Sequence, residues 1–193
     1  MSHFFAILSR MKLIRRWSLM YNRRKENVQE HALETALLAY HLCVLHNTYF
    51  EGHVNCEHAA VLAMYHDATE VFTGDMPTPV KYFTPHMRQT YGDVEKQAAL
   101  RLLSTLPQEL QQVYEPLICQ PEADPVWPFV KAADILSAYL KCVQEVTDGN
   151  HEFNDAFQTL EARLQSLHLP EVTLFLKEYA PSFRLSLDQM HKA

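Results

Sequence analysis

His66-Asp67 lies in the run Leu62-Ala63-Met64-Tyr65-His66-Asp67-Ala68-Thr69-Glu70, which otherwise reads as a buried helix. A neutral imidazole and an adjacent carboxylate are costly to bury in an apolar stretch unless something pairs with them. A divalent metal ion is one such partner. The helical period places comparable groups on other apolar faces. His31 shares a stripe with Leu38, Leu42 and Leu45, and Asp134 shares one with Trp127, Val130 and Ala138. Asp67 falls in line with Ala60, Met64 and Val71, and His66 with Ala59, Leu62 and Ala63. Taken singly, an inward His reads as a hydrogen-bonded core residue and an inward Asp as a cap or ion-pair partner. Taken together, two buried carboxylates compete as like charges. A divalent ion resolves that competition and makes the deprotonated ligands the stable state. The expectation is a metal site of His31, His66, Asp67 and Asp134 drawn from three helices.

Two His and two Asp form a nitrogen and oxygen donor set without thiolates, which disfavours a closed structural zinc site. Mn²⁺, Co²⁺, Fe²⁺, Ni²⁺, Mg²⁺ and Zn²⁺ all suit such ligands. Four protein ligands in an octahedral field leave positions for water and substrate, as metal-assisted hydrolysis requires. Glu70, three residues after Asp67, lies on nearly the same helix face and is placed to hold or deprotonate an attacking water; its bland reading is a surface Glu near a helix end. Arg16 and Trp17 precede the first ligand-bearing helix. An Arg there binds phosphate bidentately, and a Trp packs on a flat ring or sugar. The Asp75-Met76-Pro77-Thr78 loop follows the His66-Asp67 helix closely, so it should border the same cleft, with Asp75 and Thr78 offering hydrogen bonds to sugar hydroxyls. An Asp before prolines is otherwise a plain turn residue.

The elements that must position these groups read as all-α. Apolar residues Phe4, Ile7, Leu8, Met11 and Ile14 predict a helix over 3–15. A loop over 17–26 follows. Asn27 with Glu30 forms a capping-box pattern opening a helix to about His46. A helix over 55–72 and a Pro/Gly loop over 73–79 come next. Helices are then expected over 85–103 and 107–117, with Pro107 at a first helical position. A Pro-rich connector over 120–128 leads to a helix over 127–147, stopped by Asp148-Gly149-Asn150. Further helices are expected near 152–167, 170–179 and 182–191. No internal repeat or linker divides the chain, so residues 1–193 read as one domain.

Composition agrees. The chain has 193 residues, enough for a real core, and is 48 % hydrophobic, which excludes disorder. Its 4 Gly are few against ordinary usage of about 7 %, which disfavours an all-β fold. The net charge of −6 argues against binding a nucleic-acid polymer. Arg10, Lys12, Arg15, Arg16, Arg23, Arg24 and Lys25 all precede the first acidic residue, Glu26. They read as a solvated basic stretch, a transit peptide, or a local anion site in an acidic protein. Cys43, Cys56, Cys119 and Cys142 show no CxxC spacing and read as free thiols of a reducing compartment. No apolar run is long enough to span a bilayer and no secretory core is present, so a cytoplasmic protein without a membrane partner is expected.

The arrangement His31, His66-Asp67 and Asp134 on a helical chain resembles the HD-domain metal-dependent phosphohydrolases. The match extends to Ser2-His3-Phe4-Phe5, Arg16-Trp17, Glu26-Asn27-Val28 with Glu30-His31, and Ala63-Met64-Tyr65-His66-Asp67-Ala68 with Glu70. It continues in Thr73-Gly74-Asp75, Pro77-Thr78-Pro79-Val80-Lys81-Tyr82-Phe83, Lys131 with Ala133-Asp134, and Pro181-Ser182-Phe183. These segments, spread over nearly the whole chain, resemble the bacterial HD-domain 5′-deoxynucleotidases. The HD pair alone is a weak motif, whereas the Thr73–Phe83 run and Arg16-Trp17 are specific. The chain departs from the family pattern at Thr69, Met76, the 119–128 connector and the 165–172 region.

The resemblance implies an HD-type helical bundle that hydrolyses 2′-deoxyribonucleoside 5′-monophosphates to deoxynucleoside and phosphate. It implies His31, His66, Asp67 and Asp134 as metal ligands and Glu70 as the catalytic carboxylate. It implies Arg16 on the phosphate, Trp17 at the sugar, and Asp75, Met76, Pro77 and Thr78 along the nucleoside. His31, Asp67 and Asp134 would border the substrate as well, with Asp67 and Arg16 taking part in catalysis. It further implies a homodimer using Co²⁺, Mn²⁺ or Cu²⁺. Two alternatives stand beside it. One is an HD enzyme acting on nucleoside triphosphates or cyclic dinucleotides, which would need more basic residues at the cleft. The other is a non-enzymatic helical nucleotide-binding domain, against which an intact Glu70 and Arg16 argue.

Overall fold

The computed structural model describes residues 1–81, 83–119 and 121–192. Tyr82 of the Thr73–Phe83 motif and Gln120 of the connector lie outside the described residues. Helix α1 (Phe4–Leu8) buries Phe4 and tightens into a 3-10 turn, Ser9–Leu13, which buries Met11. The single helix expected over 3–15 is therefore shorter. Ser9 donates its hydroxyl to the Ala6 carbonyl at 2.9 Å, competing with the backbone for that acceptor.

Helix α2 (Val28–Tyr49) opens on the capping box that the sequence predicts. Asn27 Oδ1 accepts the Gln29 and Glu30 N–H groups at 3.0 Å each, and Glu30 Oε2 accepts the Asn27 N–H at 3.1 Å. A cap of this kind contributes ~1 kcal/mol. Helix α3 (Cys56–Tyr65) is capped by Asn55, which accepts the His58 N–H at 2.9 Å.

The helix expected over 55–72 does not run through. His66–Thr69 is a turn, and α4 (Glu70–Thr73) is a separate single turn. The His66 Nδ1–H donates to the Ala63 carbonyl at 2.6 Å, occupying an acceptor of the last helical turn. The bonds from Ala68 N–H to Tyr65, Glu70 N–H to Asp67 and Phe72 N–H to Thr69 all span three residues rather than four. His66-Asp67 thus closes a buried helix instead of sitting inside it. Met64, assigned by the straight-helix pattern to the inward stripe of Asp67, is 45 % exposed. Gly74, at φ 72°, ends α4 in the left-handed region where glycine carries no Cβ penalty.

Helix α5 (Thr78–Lys81) is short, and α6 (Pro85–Leu103) starts on Pro85 with Thr84 Oγ1 accepting the Met87 N–H. Pro107 caps α7 (Gln108–Ile118) from one position before its first turn. Helix α8 (Trp127–Thr147) is stopped at Gly149, φ 79°. A 3-10 turn, His151–Phe153, leads into α9 (Asn154–Ser166), followed by α10 (Pro170–Glu178). The last expected helix is instead a 3-10 turn, Ala180–Arg184, and α11 (Leu187–Met190), which Ser186 and Gln189 open with a second capping box. No strand occurs among the described residues; Arg15 and Asn27 form an isolated antiparallel bridge.

Helix α8 is the axis of the fold, buried on nearly every face. It shares its main core with α2 and α3 through Leu42, Leu62, Leu136 and Leu140, and with α9 and α10 through Leu164, Val172 and Phe175. Truncating one of these leucines to Ala costs ~2–5 kcal/mol. A second core under the N-terminus joins Phe4, Ala68, Leu102, Leu103 and Ile118. His31, His66-Asp67 and Asp134 are carried by α2, the end of α3 and α8, so the main core fixes their separation.

Candidate functional site

The four predicted ligands converge. His31 Nε2 is 3.2 Å from Asp134 Oδ1 and 3.5 Å from Asp67 Oδ2. His66 Nε2 is 3.0 Å from Asp67 Oδ2 and 3.9 Å from Asp134 Oδ1. The two imidazole rings lie 5.2 Å apart. Adjacent His66 and Asp67 both enter the cluster from the turn at 66–69.

Each His has its tautomer set from behind. The His66 Nδ1–H is committed to the Ala63 carbonyl, so in the neutral ring Nε2 carries the lone pair; that atom is buried and faces Asp67 Oδ2. The His31 Nδ1–H donates to Ser137 Oγ at 3.1 Å, and the Ser137 hydroxyl donates to Glu34 Oε2 at 2.7 Å. His31 Nε2 therefore also faces the carboxylates as a lone pair. Such outer partners fix ring orientation and ligand basicity in metal sites. One donor atom each from His31, His66 and Asp134 lies within 4.8 Å of the others. Two imidazole Nε2 atoms and two carboxylates facing one another, with no thiolate among them, suit a divalent cation.

The charges agree. Burial, reinforced by Arg16, pushes the His31 imidazole down to about 4, so it is neutral. Burial opposes the His66 imidazolium, but the Asp67 carboxylate outweighs it and raises the group, which favours a proton on Nε2 that a bound cation would displace. Burial opposes the Asp67 and Asp134 carboxylates too. The histidines, and Lys131 at 2.7 Å from Asp134 Oδ2, nevertheless hold both well below the usual carboxylate range. Glu70 is the reverse case. Burial, then the charges of Asp67 and Asp75, push its carboxyl up to about 10, and its Oε2 is buried without a partner. A proton on Glu70 stands in for the positive charge that a carboxylate cluster needs.

Arg16 is the one member of the basic N-terminal stretch that joins the cluster. Its Nε pairs with Glu26 Oε1 at 2.7 Å and its terminal nitrogen lies 3.7 Å from Asp67 Oδ2. Arg10, Lys12 and Arg15 are exposed, and Arg23 and Arg24 turn toward Asp148 at the end of α8. Trp17 has φ 57°, a left-handed conformation that costs a bulky residue ~1–3 kcal/mol. Its ring packs 5.3 Å from Phe153.

Asp75 is half-buried, accepts a backbone hydrogen bond from Trp17, and feels Arg16, Asp67 and Asp134; burial raises its pKa. The 75–78 loop thus meets the cleft at Asp75. Met76 and Pro77 are partly buried, Thr78 is exposed, and the Pro77 carbonyl caps α5 by accepting the Val80 N–H. No hydrogen bond or ion pair joins Met76, Pro77 or Thr78 to the cluster among the described residues.

Sequence reasoning missed Glu26, Glu34, Ser137 and the role of Lys131. A signal existed for some of them. Glu34 and Ser137 each stand three residues after a candidate ligand, His31 and Asp134, on the same helix face.

Comparison with known proteins places the chain in a family. The sequence model of the YfbR-like 5′-deoxynucleotidases matches residues 3–183. The chain is 51 % identical to a 5′-deoxynucleotidase of Photorhabdus laumondii, over 98 % of this chain and 97 % of that protein. It is 50 % identical to 5′-deoxynucleotidase YfbR of Escherichia coli O1:K1, over 98 % and 96 %. An HD-domain phosphohydrolase from Listeria innocua superposes with a TM-score of 0.83 at 23 % identity, over 98 % of this chain and 92 % of that one, and so shares the fold. The identity and coverage settle the relationship: this chain belongs to the YfbR-like 5′-deoxynucleotidase family.

Proposed function

We propose that the chain is a metal-dependent 5′-deoxynucleotidase, with residues 1–193 acting as one HD-domain unit. Hydrolysis of a 2′-deoxyribonucleoside 5′-monophosphate breaks the P–O5′ bond and yields deoxynucleoside and inorganic phosphate. The observation that carries the assignment of roles is the convergence of two Nε2 lone pairs and two carboxylates beside Arg16. His31, His66, Asp67 and Asp134 are the ligands in this reading. A divalent cation held by them would supply Lewis acidity toward a phosphoryl oxygen and toward water. Co²⁺, Mn²⁺ and Cu²⁺ are the ions we favour from the family resemblance.

Arg16, buried and already 3.7 Å from Asp67, receives the phosphate oxygens as negative charge spreads over them in the transition state. Glu70 takes the proton of the attacking water. Its carboxyl would act as that base once deprotonated, which a divalent charge at the centre would favour by offsetting the repulsion of Asp67 and Asp75. Trp17 bounds the sugar, Asp75 accepts from a sugar hydroxyl, and Met76, Pro77 and Thr78 line the nucleoside.

A homodimer in the cytoplasm completes the proposal. Leu33, Leu37 and Tyr40, on one face of α2, are exposed apolar residues that a second copy would cover. All four cysteines are free, and no helix among the described residues is long and apolar enough to cross a membrane.

The test is a pair of variants assayed for phosphate release and metal content. Glu70→Ala should keep its metal and lose ~10²–10⁴-fold in kcat. Asp67→Ala should lose both. Wild-type turnover in Glu70→Ala, or full metal content in Asp67→Ala, would overturn the roles assigned.

A further inference from the structure

Glu145 is a fully buried carboxylate on α8, outside the cluster of ligands. It is saturated with donors. Its Oε1 accepts the Arg24 backbone N–H at 2.9 Å, and its Oε2 accepts the Arg23 backbone N–H at 3.1 Å. Asn150 Nδ2 donates to Oε2 at 2.8 Å and also to the Tyr21 carbonyl at 2.8 Å. Lys141 Nζ donates to both Glu145 and the Arg24 carbonyl. These bonds grip residues 21, 23 and 24, which belong to the irregular loop between Ile14 and Asn27.

Asn22 sits between the gripped residues. Its side-chain amide donates to the Trp17 carbonyl at 3.0 Å and to the Met20 carbonyl at 2.8 Å. The neck of the loop is closed by Arg16 N–H to the Glu26 carbonyl and Val28 N–H to the Ile14 carbonyl, both 3.1 Å. Glu145 is therefore linked to Trp17 by its hydrogen bond to the Arg23 N–H, the peptide bond from Arg23 back to Asn22, and the Asn22 side-chain bond to the Trp17 carbonyl. Trp17 needs such a path, because a bulky residue holds a left-handed backbone only where its surroundings enforce it. A surface loop without regular structure lacks that enforcement by itself.

We propose that Glu145 is a positioning residue for substrate recognition: through the backbone of Arg23 and Arg24 it holds the Arg16-Trp17 loop in the strained form that presents Trp17 to the sugar and Arg16 to the phosphate. The assignment of sugar and phosphate rests on the deoxynucleotidase reading; the mechanical role of Glu145 does not. Glu145→Gln replaces one accepting oxygen by an NH₂ group that confronts a backbone N–H, and it removes the charge facing Lys141.

The chain has two tryptophans, so a Trp127→Phe background leaves Trp17 as the only indole reporter. In that background Glu145→Gln should shift Trp17 emission to the red and increase its quenching by acrylamide. With a deoxynucleoside monophosphate and its ribonucleotide counterpart, KM for the deoxy substrate should rise ~10-fold while kcat falls much less, and the deoxy preference in kcat/KM should shrink. A folded Glu145→Gln protein with unchanged emission, KM and preference would reduce Glu145 to a structural role and overturn the inference.

If Glu145→Gln does not fold, Asn150→Ala serves instead. It keeps the Lys141–Glu145 pair and both backbone N–H bonds to Glu145 while removing the Asn150 bonds to the Tyr21 carbonyl, Glu145 Oε2 and the Glu152 N–H, and should move emission and KM in the same directions by less; no movement overturns the inference. If the parent protein itself hydrolyses both sugars equally, the deoxynucleotidase reading fails, and Trp17 emission in the same variants still decides the role of Glu145.

Discussion

Ser137→Ala isolates the hydrogen-bond chain behind His31. The Ser137 hydroxyl receives the His31 Nδ1–H at 3.1 Å and donates to Glu34 at 2.7 Å, and it is buried. Removing it leaves a buried imidazole N–H without its acceptor and a half-buried Glu34 without its donor. An orphaned buried donor costs ~1–3 kcal/mol. Thr35 Oγ1 stands 3.5 Å from both ring nitrogens, too distant for a good bond in place but within reach of a small ring rotation. That rotation would move Nε2 away from Asp67 and Asp134. Two costs follow. The metal-free protein should lose ~1–2 kcal/mol in urea unfolding. Affinity for Mn²⁺ or Co²⁺, measured by competition with a chelating dye, should fall ~10–100-fold, the range for lost outer partners of a metal-binding His. Adding Thr35→Val should deepen the affinity loss by closing the escape route. Wild-type metal affinity in the Ser137→Ala, Thr35→Val double variant would refute the reasoning, because it would mean His31 needs no orienting partner or is not a ligand.

Glu70 links pH to the stability of the metal-free protein. Its carboxyl is raised from 4.5 to about 10, so between those values the native state keeps a proton that the unfolded chain releases. This group's favourable contribution is complete below pH 4.5 and is lost as pH rises toward 10, at up to ~1.4 kcal/mol per pH unit. Glu70→Gln should therefore be more stable than wild type at pH 8 without metal, with the gap closing toward pH 5; equal unfolding midpoints at both pH values would refute this. The same proton should leave when metal binds, so calorimetric titration in buffers of different ionisation enthalpy should show proton release at pH 7 in wild type and less in Glu70→Gln. Leu37, 65 % exposed on α2, should matter for assembly rather than for the monomer fold. Leu37→Glu should lower the mass in light scattering from two chains to one without a change in helicity, and an unchanged mass would remove this face from the proposed interface.

Much of the centre was legible because its residues break a simple rule. His31 and Asp134 stand out as polar groups on apolar helix faces, and the periodicity that marks them survives intact in α2 and α8. The same rule misled in α3. The period assigns Met64 to the interior and runs the helix on to residue 72, whereas the His66 side chain captures a backbone carbonyl and ends it. Competition of that kind is a matter of one side-chain rotamer, which no hydrophobic pattern records. The loop between Ile14 and Asn27 was legible only as a loop. Its conformation depends on Glu145 and Asn150, more than a hundred residues later in the chain, so local propensity contains nothing about it. Lys141 and Glu145 do leave a trace, a charged pair at i, i+4 on a helix whose other faces are apolar, and that trace reads equally as an ordinary surface pair. Arg16 was separable from the other basic residues by resemblance and not by charge; the fold turns it inward while Arg23 and Arg24 pair with the end of α8.

The central claim is that this centre cleaves deoxynucleoside monophosphates with the help of a divalent ion. Phosphate release from matched 2′-deoxy and ribo 5′-monophosphates, measured on the metal-stripped protein and again after addition of Co²⁺, Mn²⁺ or Cu²⁺, tests it directly. The account predicts no release without metal, release on adding at least one of the three ions, and a clear preference for the deoxy series. Release from no deoxynucleoside monophosphate with any of the ions, or full activity in the stripped protein, would contradict it.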